Sequence, residues 1–290
     1  KDSPFMIFED EMMGNKMEAI IYRDTLRNLN IYGMATANYH VIRDSLLVGK
    51  NNVSGDSIML DFTNDQLNKM KVLGGAKGEF VPEEGNSKVD SIVYYNAEYI
   101  EYMIDVEKSI LQKNAKVDYG ATMIKSGNII VDWITNMLDA EKLDDTYPIV
   151  SKGDESPMTG ESMRFDLINK KGVIRKGKTN FDSGFYHGQT IQTEEPDIMH
   201  VFSSKYTSCE LDHPHYYFGS DKMKMLQGDK VIARPITLYI ADFPVMKLPF
   251  AIFPNKGGGR RSGWIMPSFG NRKEKGNYMQ NLGYYFAPDD

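Results

Sequence analysis

Apolar residues in this chain recur at every second position, and they do so in trios that return along its length. Ile58, Leu60 and Phe62 alternate with Met59 and Asp61. Ile100, Tyr102 and Ile104 alternate with Glu101 and Met103, and Met163, Phe165 and Leu167 with Arg164 and Asp166. In a strand, positions i, i+2 and i+4 share a face, so each trio can line one apolar surface. The 17 Tyr and 14 Phe suit strands, and clusters of Gly, Asn, Asp and Ser supply turns. The best helical candidate, Glu11–Leu29, contains Gly14 and breaks the 3.6-residue pattern. The expected fold class is all-β.

The trios sit inside a repeat. Small residues at Gly14, Gly55, Ala97, Gly127 and Gly160 each precede a strand pattern by about three positions. Gly14 is followed by Gly33 and Gly55 by Gly74, both 19 residues on. Turns at Thr63-Asn64-Asp65 and Asn169-Lys170-Lys171 lead into second strands. Periods of this size point to stacked supersecondary units that bury an apolar face only by stacking. The competing reading is a non-repetitive β-sandwich. A polar stretch from Asp144 to Thr159 reads as a loop, the repeat is expected to break down between Thr190 and Lys222, and alternation resumes near Val231.

Composition removes several classes. Lys plus Arg total 34 against 40 Asp plus Glu, a net charge of −6, which argues against a nucleic-acid surface. The single cysteine, Cys209, excludes an internal disulfide and a Cys-rich zinc site. The longest apolar run, Leu248–Phe253, contains Pro249 and falls far short of the ~18 residues of a membrane helix. The chain opens at Lys1 without an initiator Met or an apolar leader, as expected of a mature or cropped piece.

Two motifs fail on context. Gly172–Thr179 fits G-x-x-x-x-G-K-S/T, and Leu238–Asp242 imitates the strand ending in a magnesium-binding Asp. No amphipathic helix follows Thr179, so the helix N-terminus that a phosphate needs is missing. Cys209, His213 and His215, with His200 upstream, lack the convergent spacing of a metal site and read as a polar loop. No metal, cofactor or catalytic residue is expected. Scattered carboxylates leave a β-helix carbohydrate-active enzyme as the rival enzyme class.

The last fifty residues are the most distinctive. Phe243-Pro244-Val245, Leu248-Pro249-Phe250 and Phe253-Pro254 space prolines five residues apart, which confines these strands to edges or bulges. Arg260-Arg261-Ser262-Gly263-Trp264-Ile265-Met266-Pro267 follows, then Tyr284-Tyr285-Phe286-Ala287-Pro288. These stretches, with Lys205-Tyr206-Thr207-Ser208-Cys209, resemble in order the Y-T-S/T-C, proline-ladder, R-R-S-G-F/L-L-x-P and YY-x-x-AP patterns of the LptD (OstA, organic-solvent-tolerance) family of LPS-assembly proteins. Residues 14–195 resemble, more loosely, the OstA-type repeat.

The resemblance implies a V-shaped open β-jellyroll (a β-taco) of stacked OstA-type repeats over 1–243, a proline-rich junction over 244–261, and the first strands of an outer-membrane β-barrel over 262–290. It implies lipopolysaccharide transport at the periplasmic face of the outer membrane. Ile58, Leu60, Phe62, Ile100, Tyr102, Ile104, Met163, Phe165 and Leu167 would line an acyl-chain trough. Pro244, Pro249, Pro254, Arg260, Arg261, Ser262 and Gly263 would form the junction and lateral gate. Implied partners are LPS, a periplasmic bridge protein added by edge-strand pairing, and a lipoprotein plug in the barrel. Cys209 would pair outside this chain or stay unpaired. A barrel needs at least ~8 strands, and 262–290 has room for about two, so the expectation is a fragment of a longer protein. A soluble periplasmic carrier built on the same repeat is the nearest rival; it would lack the proline ladder and the R-R-S-G segment.

Overall fold

The structure, a computed structural model, describes residues 10–43, 45–64, 66–153, 156–181, 184–195, 197–209, 211, 213–226, 230–254, 263–265, 268–272, 276–280 and 283–286. Among these residues the chain is all-β, without a helix. The segment considered for a helix forms β1 (Glu11–Met13), β2 (Lys16–Tyr22) and the start of β3 (Thr25–Arg43). The chain divides into two compact units, Lys1–Glu155 with Glu161–Lys170, and Ser156–Gly160 with Lys171–Asp290.

The first unit is an antiparallel meander. β2 pairs with β3, then β4 (Leu46–Thr63), β5 (Gln66–Pro82), β6 (Val93–Met103), β7 (Lys108–Tyr119), β8 (Thr122–Asp132) and β9 (Met137–Glu141) follow, each paired with the one before. β10 (Ile149–Lys152) pairs with β8, while β1 pairs with the far part of β3. The stretch expected to be a loop thus contains β10 and β11 (Met158–Thr159), and the boundary between the units passes through it. β12 (Ser162–Asp166) closes the series on β9. Positive φ at Asn64, Gly120 and Asn136 turns the chain between successive strands.

The pairing of the long strands of this unit is broken near their middle. Pairing skips between Tyr32 and Ala35, Ser54 and Ser57, Leu73 and Ala76, Asn96 and Tyr99, and Gln112 and Ala115. The breaks align across the sheet and form a crease, as bulges do when they bend a ladder. Small residues line it: Ala35 opposite Gly55, Ala76 opposite Ala97, and Ala115 opposite Ser126. The two limbs then face each other. Tyr95 and Tyr102 lie seven residues apart on β6, which in an unbroken strand would separate them by ~23 Å, yet their ring centroids are 6.3 Å apart. Phe80 of one limb meets Trp133 of the other at 5.4 Å.

The second unit repeats the plan. β11 pairs with β13 (Lys171–Phe181), followed in meander by β14 (Gly184–Glu195), β15 (Ile198–Thr207), β16 (Tyr216–Leu226) and β17 (Lys230–Ile240). β18 (Phe243–Leu248) and β19 (Ala251–Pro254) divide the length of β17 between them. A row of Gly177, Gly188, Ser204 and Ser220 crosses the sheet where it bends, with positive φ at Lys176 and Ser203. Ser204 Oγ donates to the Ser220 carbonyl at 3.0 Å, and Ser220 Oγ accepts from Arg234 N–H at 3.2 Å. Phe253 packs against both Tyr206 and Phe218, at 6.4 and 6.3 Å.

One expectation changes here. The repeat does not break down between Thr190 and Lys222, because β14, β15 and β16 carry it through. The crease positions there hold serine, and outward Lys205 and Lys222 lie over Tyr217 and Phe202, so the alternation is masked in the sequence. Gly172–Thr179 lies within extended β13, and a Cβ on Gly177 would sit 2.4 Å from Ile191. That glycine serves sheet packing rather than phosphate binding.

At the C-terminus, β20 (Gly263–Ile265) pairs with β23 (Gly283–Tyr285), and β21 (Ser268–Arg272) with β22 (Gly276–Gln280). Gly263 opposite Tyr285 and Ser268 opposite Gln280 belong to one register. The two pairs are therefore inner and outer parts of a single hairpin.

Candidate functional site

The interior of the first unit is organised as rows running across the strands. One row reads Ile31, Ile58, Val72, Ile100, Leu111, Ile129, Ala140 and Met163, each opposite the next. The adjacent row reads Leu29, Leu60, Met70, Tyr102, Ser109, Val131, Leu138 and Phe165. Three trios that lie far apart in sequence thus contribute to the same two rows, because strict antiparallel register carries one inward phase from strand to strand. No charged side chain enters either row. On the outer face Asn28 donates to Asp61 at 2.7 Å, and Lys69 pairs with Glu101 at 2.9 Å. Arg164 pairs with Asp139 at 2.6 Å.

The nine residues expected to line a trough do not all stand alike. Ile58, Leu60, Ile100, Tyr102, Met163 and Leu167 are buried. Phe62 and Phe165 are half-buried. Ile104 is 37% exposed and lies one residue beyond the end of β6. Alternation in the sequence outlasts the strand there, since the chain has already entered its turn. Met70, Val72, Leu111 and Leu138 also stand in the rows without having been singled out. A small apolar recess between the limbs is lined by Val93, Tyr95, Leu111, Val131, Trp133 and Leu138, among others.

A polar chain crosses this apolar interior. Tyr102 hydroxyl donates to Tyr95 hydroxyl at 2.8 Å, Tyr95 donates to Asn51 Oδ1 at 2.5 Å, and Asn51 Nδ2 donates to Tyr39 hydroxyl at 2.6 Å. Burial drives the phenols of Tyr39, Tyr95 and Tyr102 well above their ordinary range, so all three remain neutral hydrogen-bonding groups. No sequence pattern announced this network, because its members come from three strands. A second link ties loop to turn. Asp90 accepts from Lys170 Nζ at 2.8 Å and from Tyr119 hydroxyl at 2.6 Å. Those bonds, Lys170 first, pull the Asp90 carboxyl from the usual 3.8 to about 2, and burial with the Asp90 contact pushes Tyr119 up to about 12.

Two edges are exposed. Every residue of β2 is exposed, including Met17, Ile20, Ile21 and Tyr22. In β18, Phe243 and Val245 are 75% and 60% exposed, and Pro244 occupies a ladder position opposite Tyr239 beside a register shift. Pro249 is exposed between β18 and β19, and Pro254 ends β19. Gly263 opens β20, while Arg260, Arg261 and Ser262 lie outside the described residues. Cys209 is a half-buried free thiol 3.7 Å from His215 Nδ1. His200 instead faces Glu194 at 2.6 Å, and among the described residues no group of three or more His, Cys, Asp or Glu side chains is placed to hold a metal.

Residues 231–290, which span β17–β19 and the C-terminal hairpin, match the family model described as LptD protein. The LPS-assembly protein LptD of Bordetella pertussis is 30% identical over 139 residues, 46% of this chain and 17% of that protein. The chain is thus similar to LptD proteins, over residues 231–290 by the family model and over 139 residues by sequence. The LptD of Hahella chejuensis is 24% identical over 180 residues, 61% of this chain and 22% of that protein. The chain therefore spans about a fifth of the length of the curated LptD proteins it matches. Among solved structures, LptH of Pseudomonas aeruginosa overlaps with a TM-score of 0.37 at 12% identity, over 47% of this chain and 83% of LptH; the overlap is too loose to add to the fold described above.

Proposed function

We propose that this chain is a lipid-handling, non-enzymatic part of an LPS-assembly protein at the periplasmic face of the outer membrane, and that its folded-sheet interior takes LPS acyl chains. The observation that carries the reading is the pair of continuous, uncharged rows joining Ile58 and Leu60 to Ile100, Tyr102, Met163 and Phe165 across the first unit. Each methylene moved out of water is worth ~0.8 kcal/mol, so a ten-methylene chain gains ~8 kcal/mol before the cost of parting the limbs. That return requires an unbroken apolar path, which eight strands in one phase supply. Sugar and phosphate groups stay outside, where Lys69, Arg164 and Lys108 sit in ion pairs.

In this reading the exposed β2 edge receives a periplasmic bridge protein by strand addition. Residues 244–261 form the junction and 262–290 the opening strands of a barrel. Pro244, Pro249 and Pro254 weaken ladder pairing beside Arg260, Arg261, Ser262 and Gly263, and a lipoprotein plug occupies the barrel. Cys209 pairs with a cysteine outside this chain or stays unpaired. A soluble carrier is not favoured, because the family match falls on the proline ladder and hairpin. A β-helix enzyme requires parallel coils, whereas the ladders of both units are antiparallel. Native mass spectrometry with intact and deacylated LPS tests the proposal: a complex with intact LPS alone is expected, and equal binding of the two would overturn it.

A further inference from the structure

The hydrogen-bonded chain of Tyr102, Tyr95 and Asn51 has a chemical role in that interior. We propose that it is a polar subsite which selects acyl chains carrying a hydroxyl or ester oxygen over plain hydrocarbon chains; this rests on the acyl-binding reading above. Tyr102 lies in one limb, in the row between Met70 and Ser109, and Tyr95 and Asn51 lie in the other. The Tyr102–Tyr95 bond of 2.8 Å therefore spans the two limbs. The site is built for its ring. Gly78 stands directly opposite Tyr95, and a Cβ there would lie 2.3 Å from the ring atoms, so any other residue would displace the phenol.

A chain that wedges between the limbs must part Tyr102 from Tyr95. In hydrocarbon the freed hydroxyls have no water to turn to, and an unmade buried hydrogen bond costs more than a made one gains. A plain alkyl chain leaves them unmet. A hydroxyl on the chain replaces the lost partner on each side, accepting from Tyr102 and donating to Tyr95, and an ester oxygen accepts from Tyr102. Raised phenol pKa values keep both groups protonated as donors.

The test is displacement of a fluorescent fatty acid from the 290-residue chain by tetradecanoic acid and by 3-hydroxytetradecanoic acid. The hydroxy acid is expected to bind about three- to ten-fold more tightly, the worth of one neutral hydrogen bond. In Tyr102→Phe and Tyr95→Phe that preference is expected to fall to about one-fold. Thermal melts of both variants check that they fold, and Tyr186→Phe in the second unit serves as control. If both acids bind equally to the native chain, or the ratio survives both substitutions, the subsite is overturned while acyl binding stands. If neither acid binds the native chain, the acyl reading fails with it.

Discussion

Gly74 shows how one atom fixes the repeat. It has a φ of +77° and lies against Asp56, as Gly33 at +74° lies against Asn15. Its companions Gly55 and Gly14 have no room for a Cβ, which would approach Val72 and Ile31 at 2.7 and 2.4 Å. The 19-residue glycine spacing is thus two steric demands of one bend, met twice. In the third repeat Ala97 replaces the first glycine, and Asn114, at φ 53°, takes the second place with its Nδ2 donating to Glu98 at 2.9 Å. Gly74→Ala is expected to cost about 1–2 kcal/mol through the left-handed backbone alone, read from urea denaturation. Asp90 gives a pH prediction. Because its folded carboxyl titrates near 2 rather than 3.8, its contribution is complete above about pH 4 and is lost as pH falls toward 2. Lys170→Ala should move that titration back toward 3.8 in a carbon-detected NMR titration; an unmoved value would mean that the Lys170 bond is not the cause.

At the scale of strands, the interior rows make unequal demands on their members. Leu60→Ala removes a fully buried side chain and is expected to cost about 2–5 kcal/mol. Ile104→Ala, at a 37% exposed position past the strand end, should stay below about 1 kcal/mol. Equal losses in chemical denaturation would contradict the placement of the rows. This contrast marks how far the sequence was readable. Period two gave the strands and the inward phase of Ile58, Leu60, Ile100 and Met163, because burial on one face writes itself into alternate positions. It overran at Ile104, because alternation carries no mark of where pairing stops. It hid β14–β16, where Ser204 and Ser220 fill crease positions and Lys222 covers Phe202. The Tyr102–Tyr95–Asn51 chain was invisible, since hydrogen bonds across a fold leave no periodicity.

Over the first folded meander, uncharged inner rows lie under an outer face that carries ion pairs. The family match on 231–290 supports the proposed role in LPS assembly, and in that proposal the rows of the first unit supply the physical means. The most direct measurement is photocrosslinking of LPS from a probe placed at Leu60 or Phe165, compared with one at outward Asp61. The account predicts strong LPS adducts at Leu60 and Phe165 and few at Asp61. Equal adduct formation at the inward and outward positions would contradict it.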